Sequence, residues 1–125
     1  MIDTSGSMSL GADQIKEIVL AVPAAVIGTY GAPSLYSGAL RILSKHGTLV
    51  VQEKEFASVG SSNGVDGPAL RWLGLQPRPR IWISDGVVTG VVDIAYQSLT
   101  REAMDICERF RIRRVGTLEE ARRLL

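Results

Sequence analysis

The 125-residue chain has room for one ordinary domain, and residues 1–125 are read as a single domain. Its 46% apolar and 22% charged residues are globular values, which excludes a wholly disordered chain. A net charge of +1 supplies no overall field for nucleic acid or an anionic membrane, so neither is expected as a partner, and one cysteine and one histidine exclude an internal disulfide framework and a His-rich metal site.

Met1-Ile2 is a short apolar stretch that runs into the polar turn Asp3-Thr4-Ser5-Gly6-Ser7. Between residues 12 and 22, Ile15, Ile18, Val19 and Val22 fall on one helical face, and Pro23 ends the helix. Residues 24–30 form a continuous apolar run, suited to a central strand buried on both sides. Gly31, Pro33, Ser34, Ser37 and Gly38 read as a loop. Residues 39–43 and 48–51 predict two strands around a Lys45-His46-Gly47 turn, the first pairing with 24–30 and the second with the first.

Residues 59–67 carry nothing that packs a core and read as a loop. Pro68 suits the first turn of a helix with Ala69, Leu70, Trp72 and Leu73 as its apolar contacts, and Gly74 and Pro77 stop it. Residues 80–84 predict a strand that ends in the turn Asp85-Gly86. Thr100 is expected to cap a helix in which Ala103, Ile106, Cys107 and Phe110 share a face, which makes Cys107 a core residue and not a nucleophile. A short strand at 113–115 precedes a capping box, Thr117 with Glu120, that opens a helix to Leu125. This alternation predicts an α/β domain with a mostly parallel sheet covered by helices on both faces.

Charge is unevenly divided. Residues 71–125 hold ten arginines against seven acids, but the acids are interleaved, so this half reads as a solvated surface and not as a phosphate-binding face. The most apolar stretch, residues 18–27, is interrupted by Pro23 and is far short of the about 20 residues that a spanning helix needs. The first residues have neither the basic nor the apolar region of an export signal, and a cytoplasmic location is expected.

Ligands of parallel α/β sheets bind at the carboxyl ends of the strands. Three polar clusters fall at such ends: Asp3, Ser5 and Ser7; the loop from Asn63 to Asp66; and Asp85. A loop leaving a strand can aim alternate residues at one point, and Gly6 lets it bend. Carboxylates and hydroxyls converging there make a hard oxygen site suited to Mg²⁺, Mn²⁺ or Ca²⁺. Asp66 is read two ways, as a ligand or as a carboxylate complementing the helix that Pro68 opens. Asp85 is read as a ligand, direct or through water, with a plain Asp-Gly turn as the alternative. Crowded carboxylates repel, so Asp3→Ala is expected to leave metal-free stability unchanged or slightly raised.

Ile2-Asp3-Thr4-Ser5-Gly6-Ser7-Met8 resembles the metal-ion-dependent adhesion site of von Willebrand factor type A domains. Ile83-Ser84-Asp85-Gly86 is similar to that family's later strand-end aspartate, and the stretch from Gly64 to Leu70 to its middle loop and following helix. The resemblance implies a three-layer, Rossmann-like domain. Met1-Ile2 is then central, between strands 24–30 and 80–84, with one antiparallel edge strand near 39–43. It implies a Mg²⁺ site (or Mn²⁺ or Ca²⁺) built from Asp3, Ser5, Ser7, Asp66 and Asp85. The function implied is non-catalytic protein binding, in which a partner's acidic residue completes the metal sphere. Intracellular bacterial members often work beside AAA+ ATPases of the MoxR type. Val65 stands where the family usually has a ligating threonine, and only two apolar residues precede Asp3 where the family has a longer strand.

Two other readings stay open. One is a degenerate type A scaffold without metal, acting in assembly through its surface. The other is an Asp-based, Mg²⁺-dependent phosphotransferase or hydrolase with Asp3 as nucleophile. The second lacks an aspartate two residues after Asp3, where Ser5 stands, and a lysine after Lys54.

Overall fold

A computed structural model describes residues 1–34, 37–50, 52, 66–86 and 97–125. Among these residues a six-stranded sheet runs in the order β4-β3-β2-β1-β5-β6. The strands are β1 (Ile2–Asp3), β2 (Ile27–Ser34), β3 (Ser37–Lys45), β4 (Thr48–Leu49), β5 (Arg80–Ile83) and β6 (Ile112–Val115). The described helices are α1 (Ala12–Ala21), α2 (Asp66–Gly74), α3 (Gln97–Phe110) and α4 (Leu118–Arg122). β1 pairs in parallel with both β2 and β5, and β5 with β6, so the sheet is mostly parallel.

Side chains alternate across the strands and divide the core between two faces. Tyr30, Trp82 and Ile112 face α2 and α3, where Leu70, Leu73, Ala103, Ile106 and the buried thiol of Cys107 pack. Ile2, Ile27, Ile81, Ile83 and Val115 face the other way, onto Ile15, Ile18 and Val19 of α1 and Ala121 of α4. Gly74 makes one of these contacts possible. A Cβ there would lie 2.7 Å from the Phe110 ring, so only glycine lets α2 approach α3 so closely.

The expected single antiparallel edge strand near 39–43 is corrected. β3 is antiparallel to β2 but lies inside the sheet, and β4 occupies the edge, antiparallel to β3. The tight turn explains it. His46 and Gly47 both take positive φ, 51° and 80°, the two-residue geometry that folds β4 straight back on β3. β2 starts and ends later than expected. The Val22–Ala25 turn, closed by Ala25 N–H to Val22 O at 3.0 Å, delays its start. The antiparallel hairpin then carries β2 beyond Gly31 to Ser34, with a register shift between those two residues. β1 pairs only with Thr29 and Tyr30, so Pro33 meets no β1 partner that would need its missing N–H.

Thr100 does not cap α3, which begins three residues earlier at Gln97. Thr117 does cap α4, its Oγ1 accepting from Glu120 N–H at 3.1 Å. The Glu120 carboxylate reaches Gly116 N–H at 2.8 Å, one residue before the cap residue that the capping box predicts. α4 closes after five residues, short of Leu125.

β1 is short but fully enclosed. The Met1 amino nitrogen is buried and donates to Ile81 O at 2.8 Å, where a ladder N–H would stand. Burial away from water lowers its pKa from 8.0 to about 5.

Candidate functional site

β1 leads through α1 to β2 on one side, while its other neighbour, β5, arrives much later in the chain. Connections on the two sides of β1 therefore diverge, and its carboxyl end is the usual ligand position of such sheets. Asp3 stands at that point, 5% exposed.

Two donors hold its carboxylate. Ser5 N–H donates to Oδ1 at 2.8 Å, a local turn of the kind short acidic side chains favour. Ser84 Oγ donates to Oδ2 at 2.7 Å from the end of β5, in the length range of a charge-assisted bond. Ser84 is itself 1% exposed and accepts from Gly86 N–H at 3.1 Å. Each Asp3 oxygen keeps a free lone-pair direction after one such bond.

The chain then enters a 3₁₀ turn, Gly6–Met8, closed by Met8 N–H to Ser5 O at 3.1 Å. The turn brings the Ser5 and Ser7 hydroxyl oxygens to 3.2 Å from each other. Thr4 points away, its hydroxyl donating to Tyr30 O at 2.9 Å. The two hydroxyls thus meet each other, and the Asp3 carboxylate is tied to the same turn through the Ser5 backbone N–H. Asp85 lies on the neighbouring loop, half-buried, with its backbone N–H against Met8 Sδ at 3.0 Å. Asp66 opens α2, but its side chain and all of Val65 lie outside the described residues, as does the Asn63 loop.

Three contributors were not read from the sequence. Ser84 reaches Asp3 across 81 positions, and Met8 supports the Asp85 backbone. Arg114 Nη1 donates to Ser84 O at 3.2 Å. The only local hint was the serine before Asp85; the sulfur and the guanidinium carried none.

Among the described residues no three His, Cys, Asp or Glu side chains come together as a metal-binding group, and no buried side-chain N or O lacks a hydrogen-bond partner. The oxygen set at Asp3 is of a different make, one carboxylate beside two hydroxyls. A separate pocket of about 460 Å³ lies at the opposite, amino-terminal end of the strands, lined by Met1, Val22, Ile27, Pro79, Ile81 and Leu125 among others. It holds none of the Asp3 cluster.

Compared with protein-family models, curated proteins and solved structures, the chain matches none of them. Among the described residues no helix is long and apolar enough to cross a membrane.

Proposed function

We propose that this chain is a non-catalytic, divalent-cation-dependent protein-binding module of the von Willebrand factor type A kind, built on a Rossmann-like sheet. The observation that supports it best is the pair of hydroxyls beside Asp3. Neighbouring oxygens in a Mg²⁺ octahedron stand about 2.9 Å apart, and those in an octahedral Ca²⁺ shell about 3.4 Å. The Ser5–Ser7 separation of 3.2 Å lies between the two. Asp3, Ser5 and Ser7 are the proposed ligands, Asp85 joins directly or through water, and Asp66 is a further candidate at the start of α2. The bound cation would supply a Lewis-acidic position for a carboxylate of the partner. A cytoplasmic setting and work beside a MoxR-type AAA+ ATPase belong to the same proposal.

The test is heat denaturation at rising Mg²⁺, with Asp3→Asn as the control. Asparagine keeps an acceptor for Ser5 N–H while removing the charge that holds a cation. The wild type should gain about 2.7 kcal/mol when Mg²⁺ reaches one hundred times its dissociation constant, and Asp3→Asn should gain nothing. A metal-free scaffold is the second reading. It is favoured by the two protein donors that already hold the Asp3 carboxylate without a cation, and a wild type indifferent to Mg²⁺, Mn²⁺ and Ca²⁺ would establish it in place of the first.

A further inference from the structure

Arg114 lies in β6, next to β5, and its side chain reaches the loop that carries Asp85. Its Nη1 donates to Ser84 O, and Gly86 packs so closely on the guanidinium that a Cβ there would come within 2.6 Å of Nη1. Gly86 also takes a φ of +78°, which suits glycine alone. Ser84 is the residue whose hydroxyl holds Asp3. The guanidinium is therefore fixed one hydrogen-bonded residue away from Asp3 and beside the Asp85-Gly86 backbone. Three arginines face carboxylates: Arg71 pairs with Glu102, Arg122 with Glu17 and Arg123 with Glu119. Arg114, like Arg80, is directed at carbonyl oxygen instead, but of the two only Arg114 does so beside the Asp3 site.

We propose that Arg114 is a built-in counter-cation of the Asp3 site and lowers its affinity for a divalent cation. The inference rests on the metal-site reading above. A fixed positive charge next to two carboxylates offsets part of the field that attracts Mg²⁺. An acidic group arriving from a partner offsets both positive charges, so metal and partner bind with positive coupling.

The experiment uses Mg²⁺ alone as the probe. Heat denaturation at low ionic strength is followed for the wild type, Arg114→Gln and Arg114→Lys, each with and without Asp3→Asn. Arg114 is exposed, so the variants keep the core. Arg114→Gln should reach half of its Mg²⁺-dependent shift at about three- to tenfold lower Mg²⁺. Arg114→Lys keeps the charge and should stay within about twofold of the wild type, and the contrast should shrink as salt screens it. A purely structural role for Arg114 has the opposite sign, because loosening Ser84 would weaken the site. Arg114→Gln needing as much Mg²⁺ as a responsive wild type, or more, overturns the proposal and leaves the metal site standing. A response in Arg114→Gln where the wild type has none supports it. No response in either protein, or a response that survives Asp3→Asn, removes the metal-site reading and this proposal together.

Discussion

Asp3 is fixed by one donor two residues away and another 81 residues away. That changes what its removal does. Carboxylate repulsion alone argues that Asp3→Ala leaves the metal-free protein as stable or slightly more so. With both oxygens hydrogen-bonded in a buried place, alanine would instead orphan Ser84 Oγ and Ser5 N–H, and the cost of leaving buried donors unpaired outweighs relief of a partly solvated repulsion. Ser84→Ala isolates the same bond from its other end. It should destabilise the protein by about 1–3 kcal/mol, because it strips a donor from a buried carboxylate and an acceptor from Gly86 N–H. Urea denaturation checks the value. Combining it with Asp3→Asn should cost clearly less than the two single changes summed, since both act on one bond. Strict additivity would mean that the Ser84–Asp3 contact carries no energy.

Elements meet at places where one side chain decides the spacing. Gly74 is the last residue of α2, and the ring of Phe110, the last residue of α3, fills the space where a Cβ would go. Helix propensity favours Gly74→Ala by up to about 1 kcal/mol. Overpacking opposes it by about 1–3 kcal/mol, because the atom met is the Cγ of the ring and not the tip of a flexible chain. The overpacking should win, and Gly74→Ala should lower the thermal midpoint. Adding Phe110→Leu should recover part of the loss. A midpoint raised by Gly74→Ala alone would show that α2 and α3 separate without cost.

At the scale of the whole chain, the buried amine that Met1 carries in the 125-residue form links folding to pH. Its pKa is about 5 when folded, against 8.0 when exposed. Between those values the unfolded chain binds the extra proton, so stability rises with pH. The contribution is complete above pH 8 and is lost as the pH falls toward 5, at most about 4 kcal/mol for a shift of this size in a fully buried group. An acetylated Met1 keeps an N–H for Ile81 O but has no charge to acquire. Denaturant titrations of the free and acetylated 125-residue chain should therefore diverge progressively from pH 8 to pH 5. Parallel curves over that range would show that the amine reaches water in the folded state.

Amino-acid order alone determined what depends on near neighbours. The apolar face of α1, the stop after Gly74, the Thr117 cap and the turn that brings the Ser5 and Ser7 hydroxyls together all arise within a few residues, where backbone geometry and side-chain spacing leave few choices. Alternating strand and helix patterns also sufficed for a mostly parallel sheet with helices on both faces. Tertiary structure decided what depends on which distant surfaces meet. β2 outran its apolar run because β3 supplied a partner for residues that look like loop. β4 took the edge because a two-residue turn returned it there. Ser84 became the partner of Asp3, and Arg114 its neighbour, only when β5 and β6 stacked beside β1. A serine before an Asp-Gly turn and an arginine among eleven have no local pattern that names their contacts, because those contacts are fixed by packing and not by periodicity.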